Sequence, residues 1–226
     1  EKDLACRVNG DGPGYLAEAA LAIGAVLVHI STDFIFDGNK TAPYIESDSP
    51  APLSVYGESK RLGEEAIINS RLERYFILRT SWLYGPGGNN FVETMLRLGL
   101  EREELRVVDD QRGTPTYTAD LVTAIFSLIS LATGHPSQVT GLFGTYHFSN
   151  LGACSWYEFA TEIFTQFRKG GGGLKLKSCH PISSIDYPLP AKRPANSVLD
   201  KSKIVEVTGF SIPSWQKSLG AYLQNR

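Results

Sequence analysis

The chain has 226 residues, of which 42% are hydrophobic and 20% are charged, as in a typical globular protein of one domain or slightly more. Its formal net charge of −2 and the lack of a basic run argue against a nucleic-acid partner. Its longest apolar stretch, residues 17–30, is too short and too interrupted to cross a bilayer, so no membrane partner is expected.

The chain opens with a helix, a glycine and a strand. Alanine-rich residues 15–23 predict an amphipathic helix that follows a turn at 11–14 and ends at Gly24. The continuous apolar residues 25–30 then predict a buried strand. This alternation is typical of an α/β protein with a parallel sheet, which is the fold class that we expect.

Polar residues follow two predicted strands at the point where each strand ends. Ser31, Thr32 and Asp33 follow the first strand, and Trp82 follows a second buried strand at residues 75–80. The carboxyl ends of parallel strands meet at one edge of the sheet, where the ligands of open α/β sheets bind. A ligand site is therefore expected there, although turn or helix-capping chemistry accounts for Ser31 and Thr32 equally well.

A tyrosine and a lysine lie four residues apart in a helix predicted over residues 53–69. Tyr56 and Lys60 then share one helix face, where the ammonium group is expected to lower the pKa of the phenol from its ordinary ~10. Such a pair can exchange a proton with a carbonyl or alcohol oxygen. The alternative is an ordinary helical tyrosine beside a lysine that pairs with Glu64, one turn further on.

The rest of the chain continues the alternation of helices and strands. We predict helices at residues 91–100, 119–131, 155–167 and 213–224, and strands at residues 105–108, 144–149 and 174–179. Ser155 and Glu158 have the spacing of a capping box that opens the third of these helices. The four histidines show no metal-ligand spacing, and three cysteines without a CxxC pair favour a reducing, cytoplasmic setting.

These features occur in the order found in the extended short-chain dehydrogenase/reductase superfamily, and the sequence resembles one of its families, the dTDP-4-dehydrorhamnose reductases. The matching segments are HISTDFIFDG at 29–38, PYIE at 43–46, PLSVYGESKRLGE at 52–64, RTSWLYG at 79–85 and QRGTPT at 111–116. The resemblance implies a Rossmann-like doubly wound parallel sheet with a smaller C-terminal α/β substrate-binding region. It assigns residues 1–150 to the Rossmann-like domain, with 105–117 contributing to the substrate lobe, and residues 151–226 mostly to the substrate-binding region.

The resemblance also implies a chemistry. Family members use NADPH or NADH to reduce dTDP-4-dehydrorhamnose, a dTDP-linked deoxysugar, to dTDP-rhamnose. By match to the family's motifs, Tyr56 protonates the developing alkoxide, and Thr32 donates a hydrogen bond to the same oxygen. Lys60 would lower the pKa of Tyr56 and bind the nicotinamide ribose.

The same resemblance assigns binding roles. The cofactor is assigned Tyr56, Lys60 and Ser31, and the substrate is assigned Thr32, Asp33, Trp82, Asn90, Arg112 and Arg193. The two arginines suit the diphosphate of the substrate, although a structural role explains Arg112 equally well. No metal is implied, and a homodimer is an expected assembly.

The sequence departs from the family at its beginning. It lacks the GxxGxxG turn that holds the dinucleotide pyrophosphate at a helix N-terminus. At ~30 residues per βαβ unit, about two such units would precede the first residue. We therefore expect a partial sequence that lacks the first strands of a longer protein.

Two alternatives to the reductase remain open. One is a non-catalytic binding module similar to the regulatory β subunit of methionine adenosyltransferase, which resembles the same reductases. The other is a sister reductase or epimerase acting on a different nucleotide sugar, because loop contacts decide the substrate. The intact segments 31–33 and 111–116 favour the reductase.

Overall fold

The computed structural model describes residues 2–134, 141–187 and 193–226. The helices are α1 (Lys2–Cys6), α2 (Gly12–Ile23), α3 (Val55–Ile68), α4 (Phe91–Glu101), α5 (Thr118–Gly134), α6 (Trp156–Lys169), α7 (Ser202–Thr208) and α8 (Trp215–Gln224). The strands are β1 (Leu27–Thr32), β2 (Tyr75–Thr80), β3 (Leu83–Tyr84), β4 (Glu104–Val108), β5 (Arg112–Gly113), β6 (Thr116–Tyr117), β7 (Gly144–His147), β8 (Cys154–Ser155) and β9 (Ser178–Ile182). His135, one of the four histidines, lies outside the described residues.

The chain divides into two compact units, and each is discontinuous in sequence. The first unit comprises residues 1–80, 123–148 and 191–211, and the second comprises residues 81–122, 149–190 and 212–226. Residues 105–117 therefore belong to the second unit, together with most of the C-terminal quarter of the chain. The functional boundary between residues 150 and 151 stays a prediction.

The first unit contains a three-stranded parallel sheet in the order β1-β2-β7. Strand β2 is central, and its apolar residues Phe76, Ile77 and Leu78 are fully buried. Helices α2 and α3 pack against each other and against β1. Because Thr32 is in register with Thr80, the carboxyl ends of β1 and β2 lie at one edge, as predicted.

The first helical segment is longer than predicted. Helix α1, a π-helical turn at Arg7–Asp11 and helix α2 follow one another without a break, whereas the sequence predicted a turn before residue 15. Gly12 and Pro13 resemble a turn in the sequence because both disfavour helix interiors. Here Pro13, which has no N–H to donate, is the second residue of α2, just after the π-helical turn, where the regular hydrogen-bond pattern already changes. The predicted helix end at Gly24 is confirmed, with φ of 65°.

The second unit is built around a buried apolar cluster contributed largely by α4, α6 and α8. Its larger members are Tyr84, Val92, Leu96, Phe159, Ile163, Trp215 and Leu219. The predicted capping box at the start of α6 is confirmed, since Ser155 Oγ accepts from Glu158 N at 3.0 Å and Glu158 Oε2 accepts from Ser155 N at 2.7 Å.

The second unit also contains three pairs of short strands. β3 pairs with β6 and β4 with β9 in parallel, and β5 pairs with β8 in antiparallel fashion. The strand predicted at 174–179 is found at Ser178–Ile182 instead. The reason is that Leu176 N donates to Gly99 O in the last turn of α4 and Lys177 N donates to Glu103 O between α4 and β4, before the ladder with β4 begins.

Candidate active site

Thr32 ends β1 and occupies the edge where the sequence predicted a ligand site. Its side chain is buried, and its Oγ1 accepts a hydrogen bond from Phe34 N at 3.2 Å, which caps the 3-10 turn at Asp33–Ile35. Oγ1 also donates to Asp33 Oδ1 at 3.2 Å, and the Thr32 side chain lowers the pKa of Tyr56. The capping role and the site role therefore belong to the same oxygen atom.

Tyr56 is brought to Thr32 by the first turn of α3. Ser54 caps this helix by accepting from Gly57 N at 3.1 Å. A Cβ atom on Gly57 would lie 2.1 Å from Phe34 O, so only glycine allows the helix to approach the turn after β1 this closely. The Tyr56 ring packs edge-on against Phe34 at a centroid distance of 5.9 Å and remains 49% exposed.

The pKa of Tyr56 differs from the expected direction. Partial burial raises the pKa of this phenol, and the negative charge of Asp33 also raises it, whereas the hydrogen bond with Thr32 lowers it. Lys60 lies on the same helix, but its ammonium group is directed elsewhere. The expectation that Lys60 lowers the pKa of Tyr56 is therefore not met by this arrangement.

The Lys60 ammonium group lies against strand β1. Its Nζ donates to Ile30 O at 2.6 Å and lies 3.2 Å from His29 Nε2. Because an ammonium group can only donate, His29 Nε2 is the acceptor, and its ring is neutral. Burial, and then the charge of Lys60, lower the pKa of His29 to about 4, and burial lowers the pKa of Lys60.

Glu64 is not the hydrogen-bonded partner of Lys60. It forms a buried ion pair with Arg79 of β2, with a distance of 2.7 Å between Arg79 Nη2 and Glu64 Oε2. Both side chains are almost fully buried, at 5% and 2% exposure. The alternative interpretation of Lys60, as one half of a helical ion pair, is thus not what the structure shows.

Asp33 and Ser31 carry polar atoms that are buried without a hydrogen-bond partner. Among the described residues, neither Ser31 Oγ nor Asp33 Oδ2 has one. Burial raises the pKa of Asp33 to about 6, against the lowering effects of hydrogen bonds from Ser197 and Thr32 and of the positive charge of Arg193. Because the charge of Arg193 acts on Asp33, this exposed arginine lies near Asp33 in the first unit.

Trp82 lies in the second unit in a strained backbone conformation. Its φ of 46° lies in the left-handed region, which is a true outlier for a bulky residue and recurs at functional sites. The indole stacks on Trp156 at a centroid distance of 3.4 Å. It also covers Gly113, where a Cβ atom would lie 2.5 Å from the indole ring.

Asn90 and Arg112, also in the second unit, have structural partners. Asn90 caps α4 by accepting from Glu93 N at 3.1 Å, and its amide nitrogen donates to Gly85 O at 3.0 Å. Arg112 Nη1 lies 3.6 Å from Glu158 Oε2, and both side chains are about half exposed. These contacts explain why both residues hold their positions, and their predicted role in substrate binding stays a prediction.

The structure brings six of the predicted site residues into the first unit and three into the second. The first group is Ser31, Thr32, Asp33, Tyr56, Lys60 and Arg193, and the second is Trp82, Asn90 and Arg112. His29 and Ser197 carry no signal of a site in the sequence, because a strand histidine and a loop serine gain a role only when the fold places them beside Lys60 and Asp33. Within the described ranges, no group of three or more His, Cys, Asp or Glu side chains could hold a metal ion.

Comparisons with known proteins place this geometry in a family. A family model described as the RmlD substrate binding domain matches residues 1–226. The spore coat polysaccharide biosynthesis protein SpsK of Bacillus subtilis is 46% identical over 226 residues, which is 100% of this chain and 74% of that protein. The dTDP-4-dehydrorhamnose reductase of Burkholderia thailandensis is 40% identical over 217 residues, or 94% of this chain and 72% of that protein.

A solved structure agrees with these relatives. The crystal structure of dTDP-4-dehydrorhamnose reductase from Bacillus anthracis in complex with NADP is 42% identical and superposes with a TM-score of 0.87, over 100% of this chain and 75% of that chain. The Rossmann-like α/β fold class is therefore confirmed, and the chain spans about three quarters of the length of the proteins that it matches.

Proposed function

The chain belongs to the RmlD substrate binding domain family, and on this premise we propose that it is an NAD(P)H-dependent oxidoreductase that reduces dTDP-4-dehydrorhamnose to dTDP-rhamnose. The observation that carries the proposal is the position of the Tyr56 and Thr32 hydroxyl groups at the carboxyl edge of β1, where the Tyr56 ring packs against Phe34 and the Thr32 side chain lowers the pKa of Tyr56. These hydroxyl groups are the two that a carbonyl oxygen needs when it becomes an alkoxide. The similarity to named reductases, at 40% identity or more, favours this function over both alternatives.

The residues at the edge of β1 fit a nicotinamide cofactor. The unpartnered, buried Oγ of Ser31 offers a hydrogen-bonding atom that the described protein does not satisfy. Tyr56 and Lys60, on one face of α3, would contact the ribose hydroxyls, with Ser31 nearby on β1. When bound, NADPH or NADH supplies the hydride for the keto carbon.

Two side chains of this chain control the transfer of a proton to the substrate oxygen. Tyr56 delivers its phenolic proton to the oxygen on which negative charge develops. Thr32 donates a hydrogen bond to the same oxygen, an interaction that strengthens as the charge grows. The raised pKa of Tyr56 keeps its proton in place at neutral pH, which suits a proton donor in the direction of reduction.

The remaining site residues are proposed to hold the substrate. Arg193 supplies a guanidinium group for the diphosphate, in keeping with its exposure and its position near Asp33. Trp82 presents a strained, stacked indole for the sugar. We assign Asn90 and Arg112 to contacts with the nucleotide. Asp33 is assigned to the sugar pocket, although this residue is only 2% exposed.

We propose that the protein works in the cytoplasm as a homodimer, without a nucleic-acid or membrane partner. Cys6, Cys154 and Cys179 are all free thiols, which supports a reducing compartment. None of the described helices is long and apolar enough to cross a bilayer. Sedimentation at equilibrium tests the dimer directly.

The Tyr56→Phe variant tests the function. We expect the full protein to oxidise NADPH only when dTDP-4-dehydrorhamnose is present, and we expect Tyr56→Phe to lower kcat by about 10²–10⁴-fold, the usual contribution of a positioned proton donor. Tyr15→Phe, at a 68% exposed tyrosine, is the matched control and should keep the wild-type rate. Equal rates for the two variants, or no turnover by the folded full protein, would contradict the proposal.

A further inference from the structure

The backbone of Trp82 is held in a conformation that a bulky residue rarely adopts. Its φ of 46° lies in the left-handed region, and such strain persists only where the surrounding structure enforces it. Thr116 N donates to Trp82 O at 3.1 Å, which fixes the carbonyl group but not the side chain. If φ returned to the extended region, the Cα–Cβ bond would turn and the indole would leave its present place. The contacts of the indole are therefore part of what maintains the strain.

Trp156 provides a stacking contact for this indole. The two indole rings lie 3.4 Å apart between centroids and are inclined by 9°, so they overlap almost completely. Trp156 also packs against Phe91 at a centroid distance of 4.6 Å, and Phe91 stacks on the fully buried Phe159 at 5.4 Å. Aromatic pairs stabilise beyond the area that they bury. Trp156 thus joins the half-buried indole of Trp82 to the buried cluster of the second unit.

The strand pair of β5 and β8 brings Gly113 and Trp156 to the same indole. Gly113 lies opposite Cys154 in the ladder. Ser155, the next residue, caps α6, which begins at Trp156. A Cβ atom on Gly113 would lie 2.5 Å from the Trp82 ring, so the glycine backbone and the Trp156 ring both limit the movement of this indole. The backbone of two paired strands therefore determines where the Trp82 side chain can lie.

We propose that Trp156 is a positioning residue that holds the strained Trp82 in place for the substrate. The stack on Trp156 stabilises a side-chain position that the strained backbone would otherwise abandon, so the indole is in place before a ligand binds. Pre-organisation of this kind lowers the cost of ordering a side chain on binding. The effect on the sugar rests on the proposed reductase function, whereas the effect of the stack on the indole does not.

The Michaelis constants of the full protein test the proposal. Trp156→Leu removes the stacked ring, and we expect the KM for dTDP-4-dehydrorhamnose to rise by about tenfold. The KM for NADPH and kcat should change by no more than about twofold, because neither tryptophan is assigned to the cofactor or to the proton. Trp156→Phe keeps an aromatic ring at this position and should hold the KM for the dTDP-sugar within about threefold of the wild-type value.

Phe164→Leu is the control for a purely structural effect. Phe164 lies on the same helix as Trp156, about two turns further on, and belongs to the same buried cluster. Its truncation should lower the stability to urea but change the KM for the dTDP-sugar by less than about twofold. A rise in this KM of the same size in Phe164→Leu and Trp156→Leu would show that Trp156 acts only through stability, and would contradict the proposal.

Gly113→Ala tests the second contact of the same indole. The added methyl group would overlap the Trp82 ring at its present position, so the indole has to move, and the KM for the dTDP-sugar should rise by about fivefold or more. In the double variant with Trp156→Leu the indole has already lost its support, so the two changes in KM should be less than multiplicative. Fully multiplicative changes would show that the two residues act separately, and would contradict the proposal.

NMR measures the position of the Trp82 indole without ligand or turnover. In the wild-type protein its ring protons should show nuclear Overhauser contacts with the α protons of Gly113, because the two groups are packed together. These contacts should be lost in Trp156→Leu and kept in Trp156→Phe and Phe164→Leu. The signals of Trp82 are identified by their absence in Trp82→Phe.

Each result decides the question. Contacts between Trp82 and Gly113 that persist in Trp156→Leu, or a KM for the dTDP-sugar that this variant leaves unchanged, would overturn the inference. If the full protein does not reduce the dTDP-sugar at all, the proposed function fails, and the NMR contacts still decide whether Trp156 holds Trp82 in place.

Discussion

Thr32 illustrates how one residue serves structure and chemistry together. Its Oγ1 caps the turn that follows β1, and the same atom contacts both Asp33 and Tyr56. The capping hydrogen bond fixes the position of the hydroxyl oxygen, while the hydroxyl proton can still rotate toward different acceptors. A rigid oxygen with a movable proton is well suited to a site where charge develops on a neighbouring atom.

The buried carboxyl of Asp33 should limit stability at neutral pH. Its pKa is about 6 in the folded protein and 3.8 ordinarily, so folding becomes less favourable as the pH rises from about 4 to 6. At 1.36 kcal/mol per pKa unit, Asp33→Asn should raise the free energy of unfolding by about 2–3 kcal/mol at pH 7.5. Near pH 4.5 the gain should shrink to about 1 kcal/mol.

Urea denaturation at both pH values measures this gain. Asp11→Asn serves as the control, because its side chain is exposed and should change stability by no more than about 0.5 kcal/mol. A gain for Asp33→Asn that is the same at pH 4.5 and pH 7.5 would show that Asp33 does not titrate in this range.

Helix α3 is the element that positions the site. Two of its glycines allow close approach, since a Cβ atom would lie 2.1 Å from Phe34 O at Gly57 and 2.1 Å from Asn9 O at Gly63. The buried pair of Glu64 with Arg79 joins the same helix to the central strand β2. Glycine contacts and an ion pair thus fix the helix that carries Tyr56 and Lys60 against the sheet.

Breaking the buried pair should destabilise the protein strongly. Glu64→Gln removes the charge and leaves Arg79 buried without compensation, which typically costs about 3–5 kcal/mol. Glu65→Gln is the matched control, because Glu65 pairs with Arg61 at the surface and such pairs contribute only about 0–1 kcal/mol. The difference between the two unfolding free energies in urea is the measurement, and equal losses would contradict a special role for the pair with Arg79.

Two buried histidines of the first unit should make the folded protein more stable at neutral pH than at acidic pH. Burial and the charges of Lys60 and Arg79 lower the pKa of His29 to about 4 and that of His147 to about 3. Both rings must gain a proton on unfolding below their ordinary pKa of 6.5, so stability falls as the pH falls through this range. Asp33 acts in the opposite direction but is a single group.

The net effect should be visible in denaturation of the intact protein. Summed over His29, His147 and Asp33, the free energy of unfolding should decrease by roughly 3 kcal/mol from pH 7.5 to pH 4.5. In His147→Gln, which cannot take up the proton, the decrease should be about half as large or less. Equal stability of the wild-type protein at the two pH values would contradict the assignment of neutral, buried histidines.

The sequence by itself determined the alternation of helices and strands, the capping box at Ser155, the helix end at Gly24 and the edge of the sheet that carries Thr32. These features depend on local periodicity, capping chemistry and backbone conformation, which neighbouring residues decide. Only the tertiary structure decided that Glu64 pairs with Arg79, that Lys60 lies against His29 and Ile30, and that the pKa of Tyr56 is raised. Burial and long-range contacts set these properties, and they depend on residues far apart in the chain that only the packed fold brings together.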